Sequence, residues 1–153
     1  MTVQIVTDSA SDLSHDEATR LSIDIVPLSI RFGNDVFLDR EELSIDDFYS
    51  RMAQSDNLPQ TAAPSPGAFQ EVFTRRLAEG ADSIVCICLS SGVSATMESA
   101  ELGARETDGE VRIVDSRSVT AGLGAMVVAA AEAAAGGAGA DEIVSMVEAM
   151  RER

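Results

Sequence analysis

The sequence predicts an α/β domain in which a mostly parallel sheet carries helices on both faces, as in Rossmann-like three-layer folds. Two observations predict this class. Short apolar runs rich in β-branched residues alternate along the chain with segments of helical periodicity. The length of 153 residues fits one ordinary domain, and an apolar fraction of 45% can fill its core.

The first elements follow from local patterns near the amino terminus. An apolar run predicts a strand over Val3–Val6. Ser14 and Glu17 have the spacing of a capping box, which predicts a helix that ends at about Leu21. Residues 23–30 are expected to be extended on both sides of a proline.

The middle of the chain predicts a hairpin, two helices and a loop. The hairpin covers residues 31–37 and turns at a Gly-Asn pair, and Ser44 is expected to cap an amphipathic helix. A polar loop is expected over residues 56–66. Ser65 and the proline after it predict the start of a helix over Gly67–Glu79.

The last third of the chain continues the alternation. Strands are expected over Ser83–Leu89 and Val111–Val114, with a helix from about Val93 to Arg105 between them. An alanine-rich helix over residues 120–135, a glycine-rich break and a final helix from Asp141 complete the chain.

Hydroxyl and carboxylate side chains directly follow three of these strands. They belong to Thr7–Ser9, Ser90–Gly92 and Asp115–Ser116. Because ligands of parallel sheets bind beyond the carboxyl ends of the strands, we expect the three segments to gather along one edge and to form the binding site.

The charge composition excludes several classes of function. There are 26 acidic residues against 11 basic ones, all of them arginine, for a net charge of -15. The absence of lysine excludes a P-loop lysine and a Schiff-base lysine. An excess of negative charge disfavours nucleic acid and anionic membranes as partners.

No segment has the pattern of a signal peptide or a membrane span. Residues 1–25 lack a basic start before an apolar block, and the alanine-rich stretch 125–135 is too short for a bilayer and contains Glu132. We therefore expect a cytoplasmic protein without stable membrane insertion.

Two catalytic patterns are incomplete. The segment from Gly92 to Thr96 approaches the nucleophile elbow G-x-S-x-G with Ser94 at its centre, but the one histidine, His15, is expected at the surface of the first helix. A serine hydrolase would need a base from elsewhere. The pair Gly122 and Gly124 lacks the third glycine of a dinucleotide site, and helix packing explains it better.

Metal and redox sites are not expected either. The acids that directly follow strands or turns show no ligand spacing: Asp8, Asp12, Asp39, Asp115. Cys86 and Cys88 lie two residues apart, which suits neither a CxxC pair nor a zinc site, so both are expected to be small core side chains.

The remaining hypothesis is a site for one small anion. Unpaired N–H groups at helix starts favour negative charge, and hydroxyl groups add donors without charge. Two expected helix starts have this character, one with Ser91, Gly92 and Ser94 and one with Thr61 and Ser65. The alternative is that Ser91 and Ser65 only cap their own helices.

Four motifs together resemble the DegV family over about residues 3–150. They are IVTDSASDL (residues 5–13), PQTAAPSP (59–66), LSSGVSAT (89–96) and VDS (114–116). The family consists of bacterial fatty-acid-binding proteins, including the acyl-binding subunit of fatty acid kinase. The resemblance implies a non-enzymatic protein that holds a long-chain fatty acid and presents it to a partner kinase for phosphorylation, with no cofactor besides the bound acid.

The resemblance also implies the site residues. The carboxylate would be bound by Thr61 and Ser91, with Ser65, Ser94 and Gly92 in the same two loops. This chain departs from the family pattern where Ala62 and Ala63 replace a serine and a glutamine and Ala95 replaces a glycine.

Family members continue into a second domain that completes the acyl tunnel. The present chain stops at Arg153, near where that domain would begin, so we expect residues 1–153 to be the first domain alone. The alternative function is a half domain that acts as an interaction or oligomerisation module without lipid, for example as a homodimer through the face left open.

Overall fold

A four-stranded parallel sheet forms the centre of the computed structural model, which describes residues 1–153 in full. The chain contains seven strands: β1 (Val3–Asp8), β2 (Ile23–Val26), β3 (Ser29–Phe32), β4 (Asp35–Leu38), β5 (Gln60–Ala62), β6 (Ser83–Cys88) and β7 (Glu110–Asp115). It contains six α-helices: α1 (His15–Arg20), α2 (Ile45–Gln54), α3 (Pro66–Ala78), α4 (Thr96–Arg105), α5 (Thr120–Ala135) and α6 (Ala140–Met150). None of the six is both long and apolar enough to cross a lipid bilayer.

The strand order of the central sheet is β2-β1-β6-β7, and every neighbouring pair is parallel. The predicted α/β class is therefore confirmed. The register pairs Thr7 with Ile87 and Cys88 with Asp115, so the carboxyl ends of β1, β6 and β7 lie side by side.

Helices cover both faces of this sheet, as predicted. All six residues of β6 are buried, and because side chains alternate along a strand they feed two separate cores. Val85 and Ile87 join the larger core with α1, α5 and α6, whereas Ile84 and Cys86 join the other core beside Phe73 of α3 and Ala100 of α4. Cys88 lies in the second core too, and both thiols are free, so the expectation for the two cysteines is confirmed.

A second, three-stranded antiparallel sheet of order β4-β3-β5 lies beside the first. Its small core consists of Ile30, Phe32 and Leu43, with the ring of Phe48 from α2 packed against Phe32. The helix α2 buries none of its own residues. The small sheet therefore leaves an apolar helix face open to solvent.

Three details of the chain differ from the expectations. Residues 23–30 form two strands in different sheets, β2 and β3, because the chain changes direction around Pro27. The expected loop 56–66 contains the short strand β5. The helix α4 begins at Thr96 and not near Val93, since residues 91–93 form a turn.

Close packing explains the glycine pair of α5. A Cβ atom at Gly124 would lie 2.6 Å from the carbonyl oxygen of Ser11, in the 3-10 turn Ser9–Ser11 that follows β1. Leu123 is fully buried. The interpretation of this pair as a packing feature is confirmed for Gly124.

Candidate functional site at the carboxyl edge of the sheet

Asp8 joins the ends of β1 and β6. Its Oδ2 accepts the N–H of Leu89 at 2.8 Å, and its Oδ1 accepts the N–H of Ala10 at 2.9 Å. The side chain is fully buried. Burial raises the pKa of Asp8 to about 6, although the two hydrogen bonds act in the opposite direction. The predicted gathering of the strand ends begins with this contact.

Ser91 and Asp115 join the ends of β6 and β7. The hydroxyl of Ser91 donates to Asp115 Oδ2 at 2.5 Å, and the N–H of Ser91 donates to Oδ1 at 3.2 Å. The N–H of Arg117 also donates to Oδ1, at 2.9 Å. Burial acts to raise the pKa of Asp115, but these hydrogen bonds outweigh it, and the pKa lies below its ordinary value. The predicted convergence of the three segments is thus confirmed.

The loop of Ser91 does not present a row of free helix-start amides. Besides Ser91, Gly92 donates its N–H to Ser90 Oγ at 3.2 Å, and Val93 donates to the Ser90 carbonyl at 3.1 Å. Ser91 also lies five residues before the start of α4, so it is not the cap of that helix. Both the helix-start interpretation and the simple capping alternative are therefore wrong for Ser91.

Ser94 belongs to the start of α4. Its Oγ accepts the N–H of Thr96 at 3.2 Å and shares a 2.8 Å hydrogen bond with the Thr96 hydroxyl. His15 is exposed at the first position of α1, as expected. The Ser94 hydroxyl therefore bonds to Thr96, the first residue of α4, and has no histidine base, so the structure does not support a nucleophilic serine.

Ser65 caps α3. Its Oγ accepts the N–H of Ala68 at 3.1 Å, and Pro66 occupies the first helical position. The capping alternative is confirmed for this residue. Its one structural role is to fix the start of α3.

Thr61 lies on β5 at the wall of a cavity of about 640 Å³. Its side chain is exposed, and its hydroxyl has no partner among the hydrogen bonds of the protein. Four apolar or aromatic side chains line the same cavity: Ile30, Ile45, Phe48 and Tyr49. Polar and charged groups also line the cavity: Asp12, Ser14, Glu17, Asp39, Arg40 and Ser44.

The two groups of expected site residues lie on different elements. Ser91, Gly92 and Ser94 share one loop, and Thr61 and Ser65 flank another; no hydrogen bond joins them. The segment after β1 contributes Asp12 to the lining of the Thr61 cavity, whereas Ser91, Gly92 and Ser94 do not line that cavity.

A second cavity, of about 480 Å³, contains most of the positive charge near the site. Arg40, Arg75 and Arg76 line it together with His15 and Asp24. Asp24 accepts from Arg75 at 3.3 Å and from Arg76 at 2.6 Å and 2.8 Å, and Arg40 is bound to Asp12 at 2.7 Å. Arg76 also pairs with Glu79 at 2.9 Å, so three carboxylates balance the three arginines and this cavity is not an anion site.

The four aspartates considered as metal ligands do not meet. Asp8 binds backbone N–H groups, Asp12 pairs with Arg40, Asp115 binds Ser91, and Asp39 lies at the wall of the two cavities. No group of three or more potential ligands is present.

Asp115 is the residue of the site whose role was not predicted. The sequence places it directly after a strand, and that position could have indicated a partner for Ser91 once β6 and β7 are paired. Its hydrogen bond to Ser91 depends on a strand order that the sequence alone does not specify.

Comparison with known proteins places these features in a family. The family model described as "Uncharacterised protein, DegV family" matches residues 2–153. A DegV domain-containing protein of Deinococcus radiodurans is 35% identical over 148 residues, covering 97% of this chain and 52% of that protein. The chain thus spans about half the length of the curated relatives that it matches.

Solved structures agree with this assignment. A DegV family protein from Thermus thermophilus, described by its fatty acid binding, superimposes with a TM-score of 0.90 at 33% identity, covering 99% of this chain and 54% of that one. DegV of Bacillus subtilis, described as a fatty acid binding protein, gives a TM-score of 0.92 at 26% identity, covering 99% and 54%.

Proposed function

The chain belongs to the DegV family, and from this premise we propose that it binds a long-chain fatty acid without chemical catalysis of its own. The carboxyl head group would be held by Thr61 and Ser91, and the acyl chain would lie along the apolar wall of the Thr61 cavity. The relatives from Thermus thermophilus and Bacillus subtilis, described as fatty acid binding, support the ligand class.

The observation that carries the proposal is the composition of the Thr61 cavity. Its volume of about 640 Å³ lies within the range of about 300 to 1,000 Å³ that is usual for small-molecule sites. An unbonded hydroxyl stands beside the apolar side chains Ile45, Phe48 and Tyr49. A ligand with one polar end and a long apolar body matches this surface.

The proposal is tested by the lipid content of the purified protein. Native mass spectrometry under gentle conditions, followed by solvent extraction, should recover an acyl chain at up to one per protein. Complete absence of acyl chains, together with no binding of added fatty acid, would contradict the proposal.

Variants of the two hydroxyl residues assign the head group. Thr61→Val and Ser91→Ala should each weaken binding by about 0.5 to 1.5 kcal/mol, the usual net contribution of one hydrogen bond. Thr61→Ser keeps the hydroxyl and should bind like the parent. Ser55→Ala is the control for serine loss, since the Ser55 hydroxyl bonds only to Asn57 and Ser55 does not line the Thr61 cavity. Unchanged affinity in Ser91→Ala would remove Ser91 from the site.

We further propose that a separate fatty acid kinase phosphorylates the bound acid. The resemblance of the four sequence motifs supports this step, and so does the chemistry of Thr61 and Ser91, which offer hydrogen bonds only. Incubation of the loaded protein with such a kinase subunit and ATP should yield acyl phosphate. Acyl phosphate formed without the kinase would contradict the division of roles.

The second candidate function is an interaction module without lipid. Exposed apolar side chains favour it, since Val36 is 58% exposed, Ile45 53%, Tyr49 59% and Leu58 84%. Sedimentation of lipid-free protein should then show a homodimer, and Ile45→Ser with Tyr49→Ser should restore the monomer. A lipid-loaded monomer would exclude this candidate.

A further inference from the structure

We propose that Asp115 is a positioning residue that holds Ser91 as a hydrogen-bond acceptor, so that the site takes the protonated carboxyl group of a fatty acid in preference to its carboxylate. This inference rests on the proposed function, because it concerns the head group bound at Ser91 and Thr61. It assigns to Asp115 the choice between two forms of the same ligand.

The first step is the direction of the hydrogen bond between Ser91 and Asp115. Asp115 Oδ1 accepts two backbone N–H groups, from Ser91 and Arg117, and Oδ2 faces Ser91 Oγ. The two N–H groups on Oδ1 stabilise the ionised carboxylate, and an ionised carboxylate has no proton to give, so the proton in the 2.5 Å contact belongs to Ser91. The depressed pKa of Asp115 agrees with an ionised carboxylate at neutral pH.

The second step is the capacity that remains at Ser91. A serine hydroxyl has one proton and two lone pairs, and Asp115 takes the proton. Ser91 therefore offers only lone pairs to a ligand. A carboxylate is also an acceptor only, and two acceptors without a proton between them repel each other.

The third step is the complementarity of the two hydroxyls. Thr61 has an unbonded hydroxyl that can donate, whereas Ser91 can only accept. A protonated carboxyl group has one carbonyl oxygen that accepts and one O–H that donates. Its O–H can donate to Ser91 while its carbonyl oxygen stays free for a donor such as Thr61, and a nearby Asp115 carboxylate also disfavours a second negative charge.

Charged and titratable groups around Asp115 also contribute to any pH dependence of ligand binding. Arg117 lies on the same loop, and Arg151 at the end of α6 donates to the Asp115 carbonyl at 2.9 Å while pairing with Glu148 at 3.4 Å. Asp8 lies on the other side of β6, and its pKa of about 6 falls within the pH range of the binding measurements described next. A ligand that does not titrate is therefore needed as a reference.

The test measures binding of decanoic acid and of decanol by calorimetry between about pH 5.5 and pH 8, a range that lies above the ordinary pKa of a carboxyl group. If only the protonated acid binds, the apparent Kd for decanoic acid should rise about tenfold per pH unit, as its protonated fraction falls. The Kd for decanol should stay constant. The comparison of the two ligands on the unmodified protein does not depend on any variant.

Asp115→Asn should reverse the role of Ser91. Its amide oxygen can keep the two backbone N–H bonds, and its NH₂ group then donates to Ser91 Oγ and frees the serine proton for the ligand. We expect the decanoic acid affinity of this variant to lose its pH dependence and to exceed that of the parent at about pH 8. Asp108→Asn makes the same charge change in the turn before β7 and should keep the parent profile.

The outcomes separate the inference from the proposed function. A pH-independent Kd for decanoic acid in the parent, or the same slope in the parent and in Asp115→Asn, would overturn the inference and leave fatty acid binding intact. A decanol Kd with the same slope as the acid would also overturn it. No binding of decanoic acid at any pH would overturn the proposed function and the inference together.

Discussion

Asp8 is a buried carboxyl group whose only partners are two backbone N–H groups, and no arginine compensates its charge. Burial penalises the ionised form, which raises the pKa from an ordinary value of about 3.9 to about 6. Asp8 therefore binds a proton more tightly in the folded protein than in the unfolded chain.

This shift predicts a pH dependence of stability with a definite sign. Between about pH 4 and pH 6 the folded state carries more protons at Asp8 than the unfolded state, so the free energy of unfolding falls as the pH rises through this window. Two pKa units correspond to about 3 kcal/mol at most. Urea unfolding at several pH values should show this loss in the parent and not in Asp8→Asn.

The comparison of the parent with Asp8→Asn isolates the contribution of Asp8 to the pH dependence. Other carboxylates of this acidic chain also titrate, but they contribute equally to both, and Asp108→Asn should follow the parent. A constant difference between the parent and Asp8→Asn from about pH 4 to pH 7 would contradict the assignment.

At the site, single residues could be predicted only in part. Ser91 and Thr61 were proposed as site residues because each lies in a hydroxyl-containing segment before an expected helix start, a pattern that depends on neighbours in the sequence. The partner of Ser91 could not be identified, because Asp115 lies 24 residues away and meets it only when β7 pairs with β6. The same tertiary contact engages the proton of Ser91, which no local pattern indicates.

At the scale of elements, variants at the start of α3 distinguish two roles for Ser65, which are to cap the helix and to bind the ligand. Ser65 Oγ holds the N–H of Ala68. We expect Ser65→Ala to lower the free energy of unfolding by about 0.5 to 2 kcal/mol, the usual cost of a lost N-cap. Ser65→Asp keeps the cap and should retain most of the stability. Fatty acid affinity, measured under conditions in which each variant is fully folded, should be unchanged in both. A loss of affinity in Ser65→Asp would contradict a purely capping role.

The close contact between α3 and α4 requires a glycine at position 103. A Cβ at Gly103 would lie 2.6 Å from the Pro66 carbonyl oxygen and 3.0 Å from Phe69 Cβ. Gly103→Ala should therefore destabilise the protein by about 1 to 3 kcal/mol, even though alanine is the better helix former.

Gly67 provides the matched control on the same pair of helices. A Cβ there would have only the Ser65 hydroxyl within 4 Å, at 3.9 Å. Gly67→Ala should be neutral or stabilise by up to about 1 kcal/mol. Thermal unfolding of the two variants should shift in opposite directions or by clearly different amounts, and equal shifts would contradict the packing argument.

The elements of the fold differ in how far local patterns determine them. The strand β6 and the helix α5 were predicted well, since a continuous apolar run and a long alanine-rich segment leave little choice. The segment around Pro27 and the strand β5 were not, because β2 and β3 enter different sheets and β5 has three exposed residues whose pairing with β3 is tertiary. Exposed strands carry no hydrophobic pattern to predict them.

At the scale of the whole molecule, the two sheets differ in the size of the cores that cover them. The central sheet is covered on both faces, whereas the antiparallel sheet has a core of three buried residues and the open helix α2. Side-chain links between the two parts include the Arg40–Asp12 ion pair and the bond from the Leu28 N–H to Ser9 Oγ at 3.0 Å.

This inequality predicts a pattern of hydrogen exchange. Amides of β3, β4 and α2 should exchange faster than those of β1 and β6, because opening the smaller sheet exposes little buried surface. Because α2 lines the Thr61 cavity, the proposed fatty acid should slow exchange there more than in the central sheet. Uniform exchange across the two sheets, measured by mass spectrometry, would contradict the separate stability of the smaller one.

The two thiols on β6 have a practical consequence. Cys86 and Cys88 are the only cysteines, both lie on an inner strand of the central sheet, and neither has exposed surface. A thiol-specific reagent can reach them only after that strand is uncovered. The unmodified chain therefore contains its own chemical reporter, and its labelling rate at increasing reagent concentration measures how often the centre of the molecule opens.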